Sequence, residues 1–175
     1  AYLREQIARK VNELYAVSAN VDSEITITSG ATEALFVAIQ TLVGNGDEVI
    51  VFDPAFDSYD PAIRLAGGKT IHIPLSGNSF SIDWERVRES ITPRTKAIII
   101  NSPHNPTGSV SSRVDLDQLA ELASNNDLVV ISDEVYEHMV FDGQQHNTVA
   151  AHPGLRDRSF VISSFGKTYH ATGWK

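Results

Sequence analysis

Two runs in this chain, Ala97-Ile-Ile-Ile100 and Leu128-Val-Val-Ile131, contain no polar residue. A strand with one face in water alternates apolar and polar side chains, so strands without that alternation are buried on both faces. Such burial calls for a mostly parallel sheet sandwiched between helices. The rest of the chain supplies the other layers. Strands are expected at Ile25 to Thr28, Glu48 to Phe52, Lys69 to Pro74, Ala97 to Asn101, Leu128 to Ser132 and Phe160 to Ser163. Apolar residues recur at helical spacing between them: Leu3, Ile7, Val11 and Leu14; Ala34, Leu35, Ala38, Ile39 and Leu42, with Gly44 as a left-handed cap; and Leu116, Leu119, Ala120 and Ala123 within Val114 to Asn125. Ser58 to Ala66 and the segment capped by Asp83, which bears Trp84, Val87 and Ile91, complete the helices. The expected fold is α/β, three-layered, with a mostly parallel sheet and helices on both faces. At 175 residues and 42% hydrophobic composition, one such core is within reach.

Charge and residue usage then narrow the function. A formal net charge of -8 and the absence of clustered Lys and Arg exclude a broad nucleic-acid footprint. With no Cys there is no thiolate metal site and no cysteine nucleophile, and the six His show no paired spacing with carboxylates that would mark a metal. No apolar run is long enough to span a bilayer and no signal-peptide pattern opens the chain, so a soluble protein in the cytoplasm is expected, without membrane association. The chain opens on a helical pattern at Ala1 and ends at Lys175 without a closing element, and is expected to be an excerpt of a longer protein.

In open α/β sheets, ligands bind beyond the carboxyl ends of the strands. The residues at those places are Gly30-Ala31-Thr32, Asp53-Pro-Ala-Phe56, Asn101 through Asn105, Asp133 through Tyr136, and Ser164 through Lys167. Taken singly each has an ordinary explanation: a turn, a helix cap, a surface lysine. Their order and spacing say more. Asn101-Ser-Pro-His-Asn-Pro-Thr-Gly108, Ser132-Asp-Glu-Val-Tyr136 and Ser163-Ser-Phe-Gly-Lys-Thr-Tyr-His-Ala-Thr-Gly-Trp-Lys175 together make the chain resemble the class I/II aminotransferases, whose fold is that of aspartate aminotransferase and whose cofactor is pyridoxal 5'-phosphate. Asp53-Pro-Ala-Phe-Asp-Ser-Tyr59 and Glu137-His-Met-Val-Phe-Asp-Gly143 bring it nearest to the methionine and kynurenine/glutamine type.

The resemblance implies roles. Lys167 would carry the cofactor as a Schiff base and shuttle a proton to and from the substrate. Asp133 would hold the pyridine nitrogen protonated, with Glu134 facing the other way. Asn105 and Tyr136 would donate to the cofactor's phenolic oxygen, Asn105 also reaching the substrate carboxylate, while Asn101 would orient the loop or Asp133. Gly30, Ala31 and Thr32 would hold the phosphate at a helix N-terminus, completed by Ser164 and Lys175. Many relatives carry arginine where this chain has Lys175, so bidentate phosphate contact is lost there while the charge remains. Phe56 would stack on the pyridine face, and Glu33 would point away from the phosphate. His104, His170, Tyr59, Asp60 and Trp174 are assigned no chemistry.

The resemblance thus implies an enzyme that moves the amino group of an α-amino acid, of methionine, aromatic or kynurenine/glutamine type, to a 2-oxo acid. Residues 1–175 would form the cofactor-binding large domain of a homodimer, without the small domain or the last strand. Two other readings stay open: a pyridoxal-phosphate lyase that eliminates across a C–S bond, and a non-catalytic sensor domain of a regulator. Alone, residues 1–175 are expected to show little or no transaminase activity.

Overall fold

The structure, a computed structural model, describes residues 2–173. Five parallel strands form one sheet: β1 (Glu48–Asp53), β2 (Lys69–Pro74), β3 (Thr95–Asn101), β4 (Val129–Asp133) and β5 (Ser159–Ile162), in the spatial order β2-β1-β3-β4-β5. The helices are α1 (Tyr2–Tyr15), α2 (Ala31–Leu42), α3 (Tyr59–Leu65), α4 (Trp84–Ser90), α5 (Arg113–Asn125) and the single turn α6 (Phe165–Thr168).

The strands sort their side chains by parity. Val49, Val51, Ala97, Ile99, Ile131 and Ile162 pack under Leu35, Ala38 and Ile39 of α2 and Tyr59, Ala62 and Ile63 of α3. Ile50, Phe52, Ile98, Ile100 and Val130 pack under Val87 of α4 and Leu116, Leu119 and Ala123 of α5 on the other face. Both parities are buried, which is why these strands read as continuous apolar runs. Two caps match their sequence signals. Asp83 accepts from the Arg86 amide at 3.1 Å, and Ser112 with Asp115 forms a reciprocal capping box at the start of α5.

Two expectations fail, at Ile25 to Thr28 and at Gly44, and α1 forms without being buried. Ile25 to Thr28 joins no ladder among the described residues; it shares the wall of a large cavity with Val161 and Ile162 of the edge strand β5. Alternation signals a strand's faces; its hydrogen bonds need a neighbour. Helix α1 forms as expected, yet none of its residues is buried, and Leu3 and Leu14 remain 44% and 51% exposed. Its apolar stripe, with Leu3, Ile7 and Val11, faces that cavity rather than the core. Gly44 is not the left-handed cap of α2: Val43 caps the helix in extended conformation, donating to Ile39 O at 2.9 Å, and the positive φ, 86°, falls at Gly46. Asp47 makes this possible by accepting the Gly44 amide at 2.8 Å.

Candidate active site

The adjacent ends of β3 and β4 put Asn101 beside Asp133 in the ladder. Asn101 is buried and works in both directions: its amide group donates to Asp133 O at 2.8 Å, and its side-chain oxygen accepts the Asn105 amide at 2.7 Å. The loop carrying Asn105 is thereby fixed to the strand carrying Asp133, the orienting role expected of Asn101. His104 is buried in the same loop with Nδ1 2.9 Å from the Thr107 hydroxyl, and burial holds its pKa below the ordinary value, favouring the neutral ring.

Asp133 is 5% exposed. One carboxylate oxygen accepts the Tyr59 hydroxyl at 2.6 Å and the other accepts the Val135 amide at 3.2 Å. Burial pushes its pKa above the ordinary carboxylate value; the Tyr59 and Val135 bonds pull it down, and the nearby Glu134 charge pushes it up again. Tyr59 is itself buried, and burial together with the Asp133 charge raises its pKa, so it stays a proton donor. The motifs alone assign Tyr59 no chemistry. Its position offers a signal: residues 59, 62 and 63 lie on the buried face of α3, and a buried tyrosine hydroxyl needs a partner.

Glu134 turns the other way, as strand geometry requires. It accepts from the Ser132 hydroxyl at 2.8 Å and the Val149 amide at 2.9 Å, and pairs with His146 Nε2 at 2.7 Å.

Tyr136 follows in the turn after β4, with Lys167 Nζ 5.8 Å from its ring centroid, within cation–π range. Lys167 sits in the one-turn helix α6, which Ser164 caps by accepting the Gly166 amide at 3.1 Å. Helix α2 begins after Gly30, whose φ of 83° and ψ of 170° suit glycine; no side chain caps this end. Its first amides therefore face outward at the positive end of the helix dipole. Glu33 folds back to accept the Ser29 amide and does not line the cavity described below. Phe56 packs edge-on to Tyr59, with ring centroids 5.6 Å apart.

These segments converge on one cavity of about 880 Å³. Gly30, Ala31, Thr32, Phe56, Asn105, Asp133, Tyr136, Ser164 and Lys167 all line it. Lys175 lies outside the described residues. Among the described residues, no cluster of three or more His, Asp or Glu could hold a metal ion, and no helix is long and apolar enough to cross a membrane.

Comparison with known proteins bears on this arrangement. The family model described as "Aminotransferase class I and II" matches residues 1–175. The chain is 50% identical over 173 residues to methionine aminotransferase of Escherichia coli, covering 99% of this chain and 45% of that protein. It is 42% identical over 164 residues to kynurenine–oxoglutarate transaminase 1 of Rattus norvegicus, covering 87% of this chain and 39% of the relative. The chain thus spans less than half the length of these relatives. Among solved structures, a methionine aminotransferase from Escherichia coli superposes with a TM-score of 0.96 at 50% identity, over 99% of this chain and 46% of that one. N-succinyldiaminopimelate aminotransferase from Mycobacterium tuberculosis superposes equally well, with a TM-score of 0.96 at 44% identity, over 99% and 46% of the two chains. A family match over the whole chain, on a fold shared with solved aminotransferases, identifies its kind: the chain belongs to the class I and II aminotransferases.

Proposed function

We propose that residues 1–175 are the cofactor-binding part of a pyridoxal-phosphate-dependent aminotransferase. Its expected donor is an α-amino acid of methionine, aromatic or kynurenine/glutamine type, and its acceptor a 2-oxo acid. The observation that carries the reading is the convergence, from four separated segments, of a lysine, a buried carboxylate, two polar side chains and an uncapped helix N-terminus on one cavity.

The donor set suits the cofactor's parts. A phosphate needs amides and positive potential, which the start of α2 offers at Gly30, Ala31 and Thr32, and Ser164 lines the same cavity. A ring nitrogen that must keep its proton needs a carboxylate, and Asp133, whose oxygens accept from Tyr59 and Val135, would hold it. Asn105 and Tyr136 would hold the ring through its phenolic oxygen, to which both can donate, and Phe56 would supply an apolar face beside it. Bound pyridoxal phosphate supplies an aldehyde that condenses with amines and a ring that takes up electrons released at the substrate's α-carbon. Lys167 Nζ would hold the cofactor and, once displaced by the substrate amine, would be free to carry the α-proton as general base and acid. The named relatives, which act on methionine and kynurenine, support the donor class. A homodimer is proposed on the same likeness.

The test uses the whole protein that carries this chain. Borohydride reduction of the cofactor-loaded protein is expected to fix label on the peptide containing Lys167, and Lys167→Ala to lose at least about a hundredfold in turnover. Label on another lysine would refute the assignment. Product formation that requires a 2-oxo acid separates transfer from elimination, which would release ammonia without one.

A further inference from the structure

We propose that Glu137 is a positioning residue: it ties α1 to the turn carrying Tyr136, so that the seating of this helix sets where the Tyr136 hydroxyl stands in the cavity. The inference rests on the cofactor reading above.

Glu137 lies one residue beyond Tyr136, is 5% exposed, and has both carboxylate oxygens engaged by α1. Lys10 Nζ approaches one oxygen at 2.6 Å, and the Tyr15 hydroxyl donates to the other at 2.6 Å. His138 Nε2 stands 3.8 Å from the first oxygen. A carboxylate this buried is costly without partners, so the two bonds hold tightly. Helix α1 has no buried residue of its own, which leaves its seating dependent on such polar ties. The edge of the Tyr15 ring also meets the His146 ring, with centroids 6.0 Å apart, and His146 is bound to Glu134.

The turn is held from both ends. Glu134 is anchored by three bonds, the Glu137 amide donates to Glu134 O at 2.9 Å, and the Met139 amide to Tyr136 O at 2.7 Å. The Tyr136 hydroxyl has no hydrogen-bond partner among the described residues and opens on the cavity. Its placement must therefore come from its backbone, and Glu137 is the adjacent point at which that backbone is fixed. Lys10 and Tyr15 also line the cavity, so the strut and the site share one wall.

The experiment uses the whole protein loaded with pyridoxal phosphate. The variants are Tyr15→Phe, Glu137→Gln and Tyr136→Phe, and each of the first two combined with the third. Two quantities are read: the cofactor dissociation constant, and the pH at which the bound cofactor's visible absorption changes. Tyr15→Phe keeps the ring on His146 and the Lys10 pair, so it removes one bond without threatening the fold. Glu137→Gln and Tyr15→Phe are each expected to weaken cofactor binding about tenfold, the equivalent of one lost hydrogen bond, and to move the absorption midpoint in the direction that Tyr136→Phe does. In the Tyr136→Phe background both effects should vanish. An unmoved midpoint in the two variants, or an undiminished effect in that background, overturns the proposal. A wild-type protein without the visible band, or with its label away from Lys167, overturns the cofactor reading and this proposal with it; an intact band with flat variants overturns the positioning role alone.

Discussion

Replacing Tyr59 by Phe removes one oxygen from the best-connected part of the site and leaves the ring contact with Phe56 in place. The lost bond is a 2.6 Å hydroxyl-to-carboxylate hydrogen bond to a residue 5% exposed, of the short charge-assisted kind. Such bonds contribute about 1.5–3 kcal/mol, and Asp133 would keep only the 3.2 Å Val135 amide, so a cost of about 2–3 kcal/mol near neutral pH is expected. The pH dependence has a definite sign. Burial raises the folded-state pKa of Asp133 above its unfolded value of about 3.9, so ionising it costs stability as pH climbs through that window. Tyr59 offsets part of the cost only while the carboxylate is charged. The variant should therefore lose most, relative to wild type, near neutral pH, and the difference should shrink to about 1 kcal/mol or less at a pH below both pKa values, where a neutral pair is compared. Urea unfolding of cofactor-free wild-type and variant proteins at the two pH values measures it. An equal difference at both, or one under about 0.5 kcal/mol near neutrality, would refute the account of Asp133 as a buried carboxylate held by Tyr59.

Gly68→Ala should destabilise by about 1–3 kcal/mol, because a Cβ there would stand 2.5 Å from Val43 Cγ1 and 3.1 Å from Ile63 Cγ2; an unchanged urea midpoint would contradict it. Arg94→Ala should cost about 1 kcal/mol near neutral pH, since buried Glu48 accepts from Arg94 at 2.7 Å as well as from Thr92 at 2.6 Å. Those bonds, Thr92's first, hold the Glu48 pKa below the ordinary value, so their stabilisation is present above about pH 4.3 and is lost as pH falls through the lower folded value. Unfolding curves of wild type and Arg94→Ala should therefore converge in acid, and a gap that stays constant would sink the argument.

The layers and the position of the site were legible because each rests on short-range information. Parity along β1, β3 and β4 assigns residues to faces, and the spacing of Leu116, Leu119 and Ala123 assigns the inner side of α5. Asn101 and Asn105 lie four positions apart in one motif, and the bond that shapes it joins those two residues. Asp133, Tyr136, Ser164 and Lys167 likewise sit at strand ends or within one turn of them, where fold class alone directs attention.

What sequence pattern misses is pairing across distance. Ile25 to Thr28 has the alternation of a strand, and α1 has the stripe of a packed helix, but a period reports which side is apolar and is silent on whether anything lies against it. The same gap hides the polar partners. Tyr59 and Asp133 are 74 residues apart, Tyr15 and Glu137 are 122, and Lys10 and Glu137 are 127. In each pair the carboxylate is buried, and a buried carboxylate carries an obligation that follows from its chemistry alone: it must find donors. Which donors they are depends on how the helices seat on the sheet. Asp133 finds its donor because α3 joins the core on that face of the sheet with Tyr59 turned inward, and Glu137 finds two because α1 docks by polar contact instead of burial. The residues that aim the site are thus remote in sequence from the residues that occupy it, and only the packed fold brings the two sets together.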